Sequence, residues 1–386
     1  MNQPIRIGIL GLGQRGLQHL NALWRLQSEG VAEIVALIDA FEDNLVETKL
    51  QRFVEGFQLN DIYTSTDFKG TIGKIPMDAI YFAIPPSRHN GEVIHAANVG
   101  LHVFVEKPMS LYLNEAIEMD KAIQDSGVAA TAGFQQRYDS RYQAIHDFLI
   151  DKTMVMITMV ANSTLEGHSV KHTKTETFGG PPNRVWTANY EWSGSTVVEA
   201  GIHQTDLMRY WCGNIAWVKA NYVHRDPSDI EDGGNNPYAY SVTFGFENGC
   251  IGNLILSRLR KVYYGDGYQS ILWTHGHLKF EGNDLIAYYY DGSSPPSQTP
   301  KREEVRHKLP FPPPVNSTEQ ISRAFLSTIT TGDSAHLQST FSSSMNSLAA
   351  VLGANASDQL GGERIELKDF LVDDKYDRFR QKPLDQ

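Results

Sequence analysis

The sequence predicts a two-part α/β protein: a doubly wound parallel sheet first, then an α+β part built on a large, mostly antiparallel open sheet. Three observations carry this. A glycine turn joins the first apolar run to a helical stripe. Short apolar runs then alternate with helical stretches as far as Gly133, and beyond that the apolar period drops to two residues.

Ile5–Leu10 is nearly continuous apolar sequence ending in glycines, as expected of a strand buried on both faces of a parallel sheet. The next helix starts near Gln14 and carries Leu17, Leu20 and Trp24 at helical spacing. Residues 34–38, 79–84, 102–105 and 128–132 repeat the strand signal between helical stretches, which implies right-handed crossovers. Asn98-Val99-Gly100 closes one helix with a C-cap glycine, and Asn114 is the expected cap of the next, which runs to Ser126-Gly127.

Further on, Val155, Ile157 and Met159 alternate with their neighbours, as do Val242, Phe244 and Phe246, followed by strands at 251–256 and 270–273. Helices are expected at 141–150, 205–211, 318–331 and 342–354, with polar surface loops at 162–189, 225–236 and the proline-rich 293–314. The last twenty or so residues are too charged to place. The expected division is residues 1–133 and 134–386.

A chain of 386 residues exceeds what one core usually organises, which supports two units. With 41% hydrophobic and 20% charged residues, the composition is that of a folded globular protein. The net charge of -11 repels phosphate backbones and anionic bilayers, so neither nucleic acid nor membrane is an expected partner. Cys212 and Cys250 lack metal-ligand spacing and read as two buried, reduced thiols. The first strand starts close to Met1, and no window is apolar over the ~18 residues a span needs, so the expected location is cytoplasmic.

Gly11-Leu12-Gly13-Gln14-Arg15-Gly16 is a G-x-G-x-x-G between a predicted strand and a predicted helix, the fingerprint of a Rossmann dinucleotide site. Its glycines suit a tight turn, close backbone approach to a pyrophosphate and close helix packing. The helix start at Gln14 aims unpaired N–H groups at the phosphates. Asp39 lies 39 - 16 = 23 residues after the last glycine, close to the usual ~20, and its carboxylate suits ribose hydroxyls while repelling a 2′-phosphate. NAD is therefore expected over NADP. Arg15 is expected at the phosphates or beside the adenine.

Two more strands end in chemistry-bearing residues, Ile84-Pro85-Pro86 with His89, and Glu106-Lys107-Pro108. Together with the glycine turn, Gln136-Arg137-Tyr138 and the final Glu363-Arg364-Ile365-Glu366-Leu367, these make nearly the whole chain resemble the Gfo/Idh/MocA oxidoreductases. The resemblance implies a nicotinamide lying over the Glu106-Lys107-Pro108 triplet, with cofactor contacts from Ile84, Pro85, Pro86, His89, Glu106, Lys107 and Arg137. It also implies that Lys107 touches the substrate hydroxyl, and it allows a cis Lys107–Pro108 bond. In physical terms, an ammonium confined beside cofactor and substrate lowers the pKa of a hydroxyl and stabilises a developing alkoxide.

Glu199 and His203, followed by Asp206, form a second cluster; on one helix Glu199 and His203 share a face at i and i+4. His203 is the natural general base, with Glu199 orienting it or binding another hydroxyl. Relatives usually carry Asp where Glu199 stands, which leaves the partner of this carboxylate open. No second histidine or cysteine joins these residues at metal spacing, so no metal is expected. Tyr138, Asn162 and Trp186 are expected around the substrate, with Arg184 and Tyr190 on neighbouring segments; Trp186 and Tyr190 read equally well as packing residues.

The expected function is hydride exchange between a secondary alcohol of a sugar, polyol or glycoside and NAD. Two rivals are an NAD-dependent glycosidase working by transient oxidation and elimination, and a non-catalytic NAD-binding regulator. One face of the second sheet needs cover, so a homodimer or homotetramer is expected.

Overall fold

The structure is a computed structural model that describes residues 3–164, 186–230, 234–259, 266–292 and 301–383. Its first sheet has six parallel strands: β1 Ile5–Leu10, β2 Ala32–Ile38, β3 Tyr63–Ser65, β4 Ala79–Phe82, β5 His102–Val105 and β6 Ala130–Ala132. They lie in the order β3-β2-β1-β4-β5-β6. The order reverses at β1, so the crevice at the carboxyl ends of β1 and β4 is where such a sheet takes a ligand.

The strand expected over 79–84 stops at Phe82. Ala83 still donates to Leu10, but Pro85 and Pro86 have no N–H to extend the ladder. Asn114 is not a cap: the helix spans Leu113–Ser126, with Tyr112 at the cap position. Ser110 Oγ accepts from the Tyr112 amide and donates to Glu115, fixing the helix start before Asn114 is reached.

The second sheet has nine strands: β7 Met154–Thr164, β8 Ile215–Val223, β9 Ala239–Phe246, β10 Ile251–Leu259, β11 Asp266–Trp273, β12 Gly276–Glu281, β13 Asp284–Tyr289, β14 Arg306–Leu309 and β15 Ile365–Glu366. Their order is β14-β13-β12-β11-β7-β10-β9-β8-β15, and only β7 and β10 run parallel. One face buries Ile157, Met159, Val218, Val242, Phe244, Leu254 and Ile271, while the other leaves Met156, Ile255 and Tyr268 exposed. The helix Gly201–Cys212 lies on the buried face, where a Cβ on Gly201 would meet Leu254 and Leu256.

Helix Ser317–Thr331 returns to the first sheet, where Phe325 packs edge-on against Tyr81 and Phe104. Cys212 and Cys250 are buried free thiols. Among the described residues, no helix is long and apolar enough to cross a membrane.

Candidate active site

The glycine turn follows β1 and uses each glycine differently. Gly11 has φ of 94°, and a Cβ there would stand 2.6 Å from the Ala83 oxygen. A Cβ on Gly16 would stand 1.8 Å from the Gly11 oxygen, so the helix Gln14–Ser28 is packed directly onto the turn. Gly13 has nothing within 4 Å of such a Cβ, and Gln14 is exposed. Open space therefore meets the helix N-terminus where a pyrophosphate must approach, and the turn fits a dinucleotide. Asp39, buried just after β2, accepts from the Leu12 amide at 2.6 Å, which ties its carboxylate to the turn.

At the end of β5, the Glu106 carboxylate accepts from Arg15 Nε at 2.7 Å, His19 Nε2 at 2.7 Å and the Lys107 amide at 3.2 Å. A Cβ on Gly133 would stand 2.7 Å from that carboxyl, so only glycine leaves it room. Burial opposes ionisation of Glu106, but the Arg15 charge and the His19 hydrogen bond outweigh it and hold the carboxyl well below its ordinary range. Burial, then the Arg15 charge, lower the His19 pKa, so His19 is neutral and donates from Nε2. Its Nδ1 is buried without a partner.

Arg15 is tied to the end of β5 in this structure, with NH2 left without a partner. Its Nε is held by Glu106 and its NH1 bonds Gln18 at 2.5 Å and Thr318 at 2.9 Å, because Glu106 is the nearest buried anion. His19 is a residue the sequence reading passes over. The available signal is a lone polar side chain among Leu17, Leu20 and Leu23 on the buried face of the first helix.

Lys107 follows, across a cis bond to Pro108. Its Nζ donates to the main-chain oxygen of Glu199 at 2.9 Å and to Glu199 Oε1 at 3.3 Å. That main-chain oxygen is available because the chain breaks there: one short helix is Thr196–Glu199, the next is Gly201–Cys212, and Ala200 lies between. Glu199 and His203 are thus not on one continuous helix, and the Glu199 carboxylate accepts from the Lys107 ammonium. Burial, followed by the positive charge of Lys107, pushes the His203 imidazole well below its ordinary pKa, and its Nδ1 is buried without a partner. Asp206 turns away from His203 and pairs with Arg137 instead.

The short helix is set by Ser195, whose φ of 119° and ψ of 168° fall in a region that glycine normally occupies. Ser195 Oγ accepts from the Val198 amide at 3.3 Å and donates to Asn355 Oδ1 at 2.9 Å, while Asn355 Nδ2 donates to the Gly194 oxygen.

The remaining expected site residues are spread over several elements. Arg137 does not offer a donor to a cofactor: Nε and NH2 grip Asp206 at 2.7 and 2.8 Å, and NH1 bonds the Gln338 oxygen. Tyr138 is buried with its hydroxyl accepting from the Gln338 amide, since the turn Gln135–Tyr138 aims it into the core beneath Ser317–Thr331. Asn162 belongs to the exposed sheet face, opposite the one that carries His203, and bonds Asp266 and Ser257. Tyr190 accepts from Gln359. His89 pairs with Glu92 just after Ile84, Pro85 and Pro86, at the carboxyl end of β4. The side chain of Trp186, and Arg184 altogether, lie outside the described residues. Among the described residues, no group of three or more metal-ligating side chains converges.

Comparison with known proteins agrees with the two-sheet fold. The family described as an oxidoreductase family with an NAD-binding Rossmann fold, Gfo/Idh/MocA, matches residues 5–134, and the Gfo/Idh/MocA C-terminal domain matches residues 168–279. The scyllo-inositol 2-dehydrogenase (NAD+) of Bacillus subtilis is 27% identical over 280 residues, 72% of this chain and 74% of that one. The myo-inositol 2-dehydrogenase of Thermotoga maritima is 26% identical over 263 residues, 68% and 70% of the two chains. The WlbA dehydrogenase of Bordetella pertussis, solved with NADH and UDP-GlcNAcA, superposes with a TM-score of 0.72 at 18% identity, covering 94% of this chain and 98% of that one.

Proposed function

The chain belongs to the Gfo/Idh/MocA family of NAD-binding oxidoreductases, and from that premise we propose that it exchanges hydride between a secondary alcohol of a sugar or polyol and NAD, with Lys107 and His203 as its catalytic residues. The observation that carries this reading is the meeting of Lys107 with the helix break at Glu199, beside a neutral His203, at the ligand-binding edge of the first sheet. The sugar or polyol class is supported by relatives named inositol dehydrogenases.

NAD+ supplies the hydride acceptor when bound. His203 takes the hydroxyl proton at Nε2, since Nδ1 is closed off from solvent. As the carbinol C–H bond breaks and C=O forms, the Lys107 ammonium offsets the negative charge growing on oxygen. Glu199 shares Lys107 at rest and accepts a second substrate hydroxyl. Asp39 takes a ribose hydroxyl and selects NAD over NADP. Residues 1–133, completed by the helix Ser317–Thr331, form the cofactor unit, and the rest the substrate and self-association unit. We place the protein in the cytoplasm as a homo-oligomer joined through the exposed sheet face.

The test is Lys107→Ala. It should lower kcat/KM by about 10²–10³-fold while NADH binding persists; unchanged turnover would refute the assignment.

A further inference from the structure

Behind Asp39 lies a buried relay that the dinucleotide fingerprint does not contain. Asp39 Oδ1 accepts from the Phe41 amide at 2.9 Å and from Asn44 Nδ2 at 3.0 Å, while Oδ2 accepts from the Leu12 amide at 2.6 Å. The other end of the Asn44 amide, Oδ1, accepts from Lys49 Nζ at 2.8 Å. Asp39 is 5% exposed, Asn44 8% and Lys49 6%, so the three form a chain withdrawn from water. Asn44 sits in the single turn Glu42–Leu45 and Lys49 in the short helix Glu47–Leu50, two elements with no direct place in the glycine turn.

The chemistry of the three groups fixes their orientation. An ammonium only donates and a carboxylate only accepts, so the amide between them has one workable setting, NH2 toward Asp39 and oxygen toward Lys49. A flipped amide would face oxygen to carboxylate and NH2 to ammonium, losing both bonds. With two N–H groups on Oδ1 and one on Oδ2, the acceptor position left open on Asp39 is on Oδ2, the oxygen that also touches the glycine turn. A carboxylate held this way meets a ribose hydroxyl through Oδ2 without searching for it, and holds its charge at a fixed point against a 2′-phosphate.

We propose that Asn44 and Lys49 are positioning residues for cofactor choice, acting through Asp39. The inference rests on the reading of Asp39 as the ribose acceptor and goes one layer beneath it. Burying Lys49 also requires a reason, since an unpaired ammonium is rarely withdrawn from water. The Asn44 oxygen supplies one, together with the nearby Asp43 and Asp39 carboxylates.

The experiment measures NADH and NADPH binding by protein-to-nicotinamide fluorescence transfer, in the absence of any alcohol substrate. Asn44→Ala should weaken NADH about tenfold and leave NADPH unchanged or tighter, narrowing the ratio between them. Asn44→Asp keeps the volume but turns the donor into an acceptor, and should also lose NADH affinity; Lys49→Met should do so by a smaller factor. A purely structural role would weaken both cofactors alike. Folded variants that keep the parental NADH-to-NADPH ratio, or lose both cofactors equally, would overturn the relay. A parent protein with no preference for NADH would instead sink the reading of Asp39, which separates the two failures.

Discussion

Lys107 Nζ stands 2.9 Å from the main-chain oxygen of Glu199, a contact that joins the end of the fifth strand of the first sheet to a helix break over the second. The lysine reaches that oxygen because helix Thr196–Glu199 ends with one residue, Ala200, between it and the next helix. The same contact brings its positive charge to bear on His203.

The first prediction concerns the pH profile. A general base works unprotonated, and burial and Lys107 both lower the pKa of His203 from its ordinary 6.5, so the acid limb of kcat/KM should lie below pH 6.5. In a Lys107→Met variant with measurable residual activity, that limb should move up toward 6.5, because the larger of the two positive charges that lower it, Lys107 ahead of Arg15, is gone. A limb that stays put would show that the two residues are not electrostatically coupled.

Stability should follow the same direction for different groups. His19 has a lowered pKa in the folded state, so the unfolded chain gains protons first and stability declines as pH falls below 6.5. Glu106, also lowered, contributes fully above its ordinary 4.5 and loses that contribution as pH falls further. Thermal melts across this range should show a decline that begins below 6.5 and steepens below 4.5, and His19→Gln, which retains a donor for Glu106, should blunt the first part. Glu106→Gln should cost about 3 kcal/mol near neutrality by stripping Arg15 and His19 of their anion.

Ser195 offers a test of strain. Ser195→Gly removes the cap to Val198 but fits a φ of 119°, whereas Ser195→Ala loses the cap and keeps the strained backbone. Denaturant titration should place the alanine variant about 1–2 kcal/mol below the parent and the glycine variant between them. Equal losses in the two variants would mean that the hydroxyl contacts, which both lack, and not the backbone, dominate at this turn.

How far the sequence could be read depended on what each side chain had to satisfy. Strands buried on both faces, such as Ile5–Leu10 and His102–Val105, leave nearly continuous apolar runs, whereas Tyr63–Ser65 is a short edge strand with no such run. The hairpin of β12 and β13 turns at Gly282-Asn283, a recognisable two-residue signal, but its strands mix tyrosine, histidine and lysine and so blur the alternation. In the candidate site, the positions of the glycine turn after β1, of Lys107 after β5 and of His203 near a helix start were legible because glycine and the strand and helix ends mark them in the sequence. Arg137, Tyr138 and Asn162 were not, because position along the chain does not give the direction a side chain faces. The partner of Arg137 lies 69 residues away, and a one-residue step along β7 decides which sheet face Asn162 joins.

The most direct test of the central claim is absorbance at the reduced-nicotinamide band while the protein and NAD+ meet a panel of sugars, polyols and nitrophenyl glycosides. NADH should rise steadily with at least one sugar or polyol, in step with ketone product, and the rise should be lost in Lys107→Ala. Aglycone release with no accumulated NADH would contradict net alcohol oxidation and assign the same residues to oxidative glycoside cleavage.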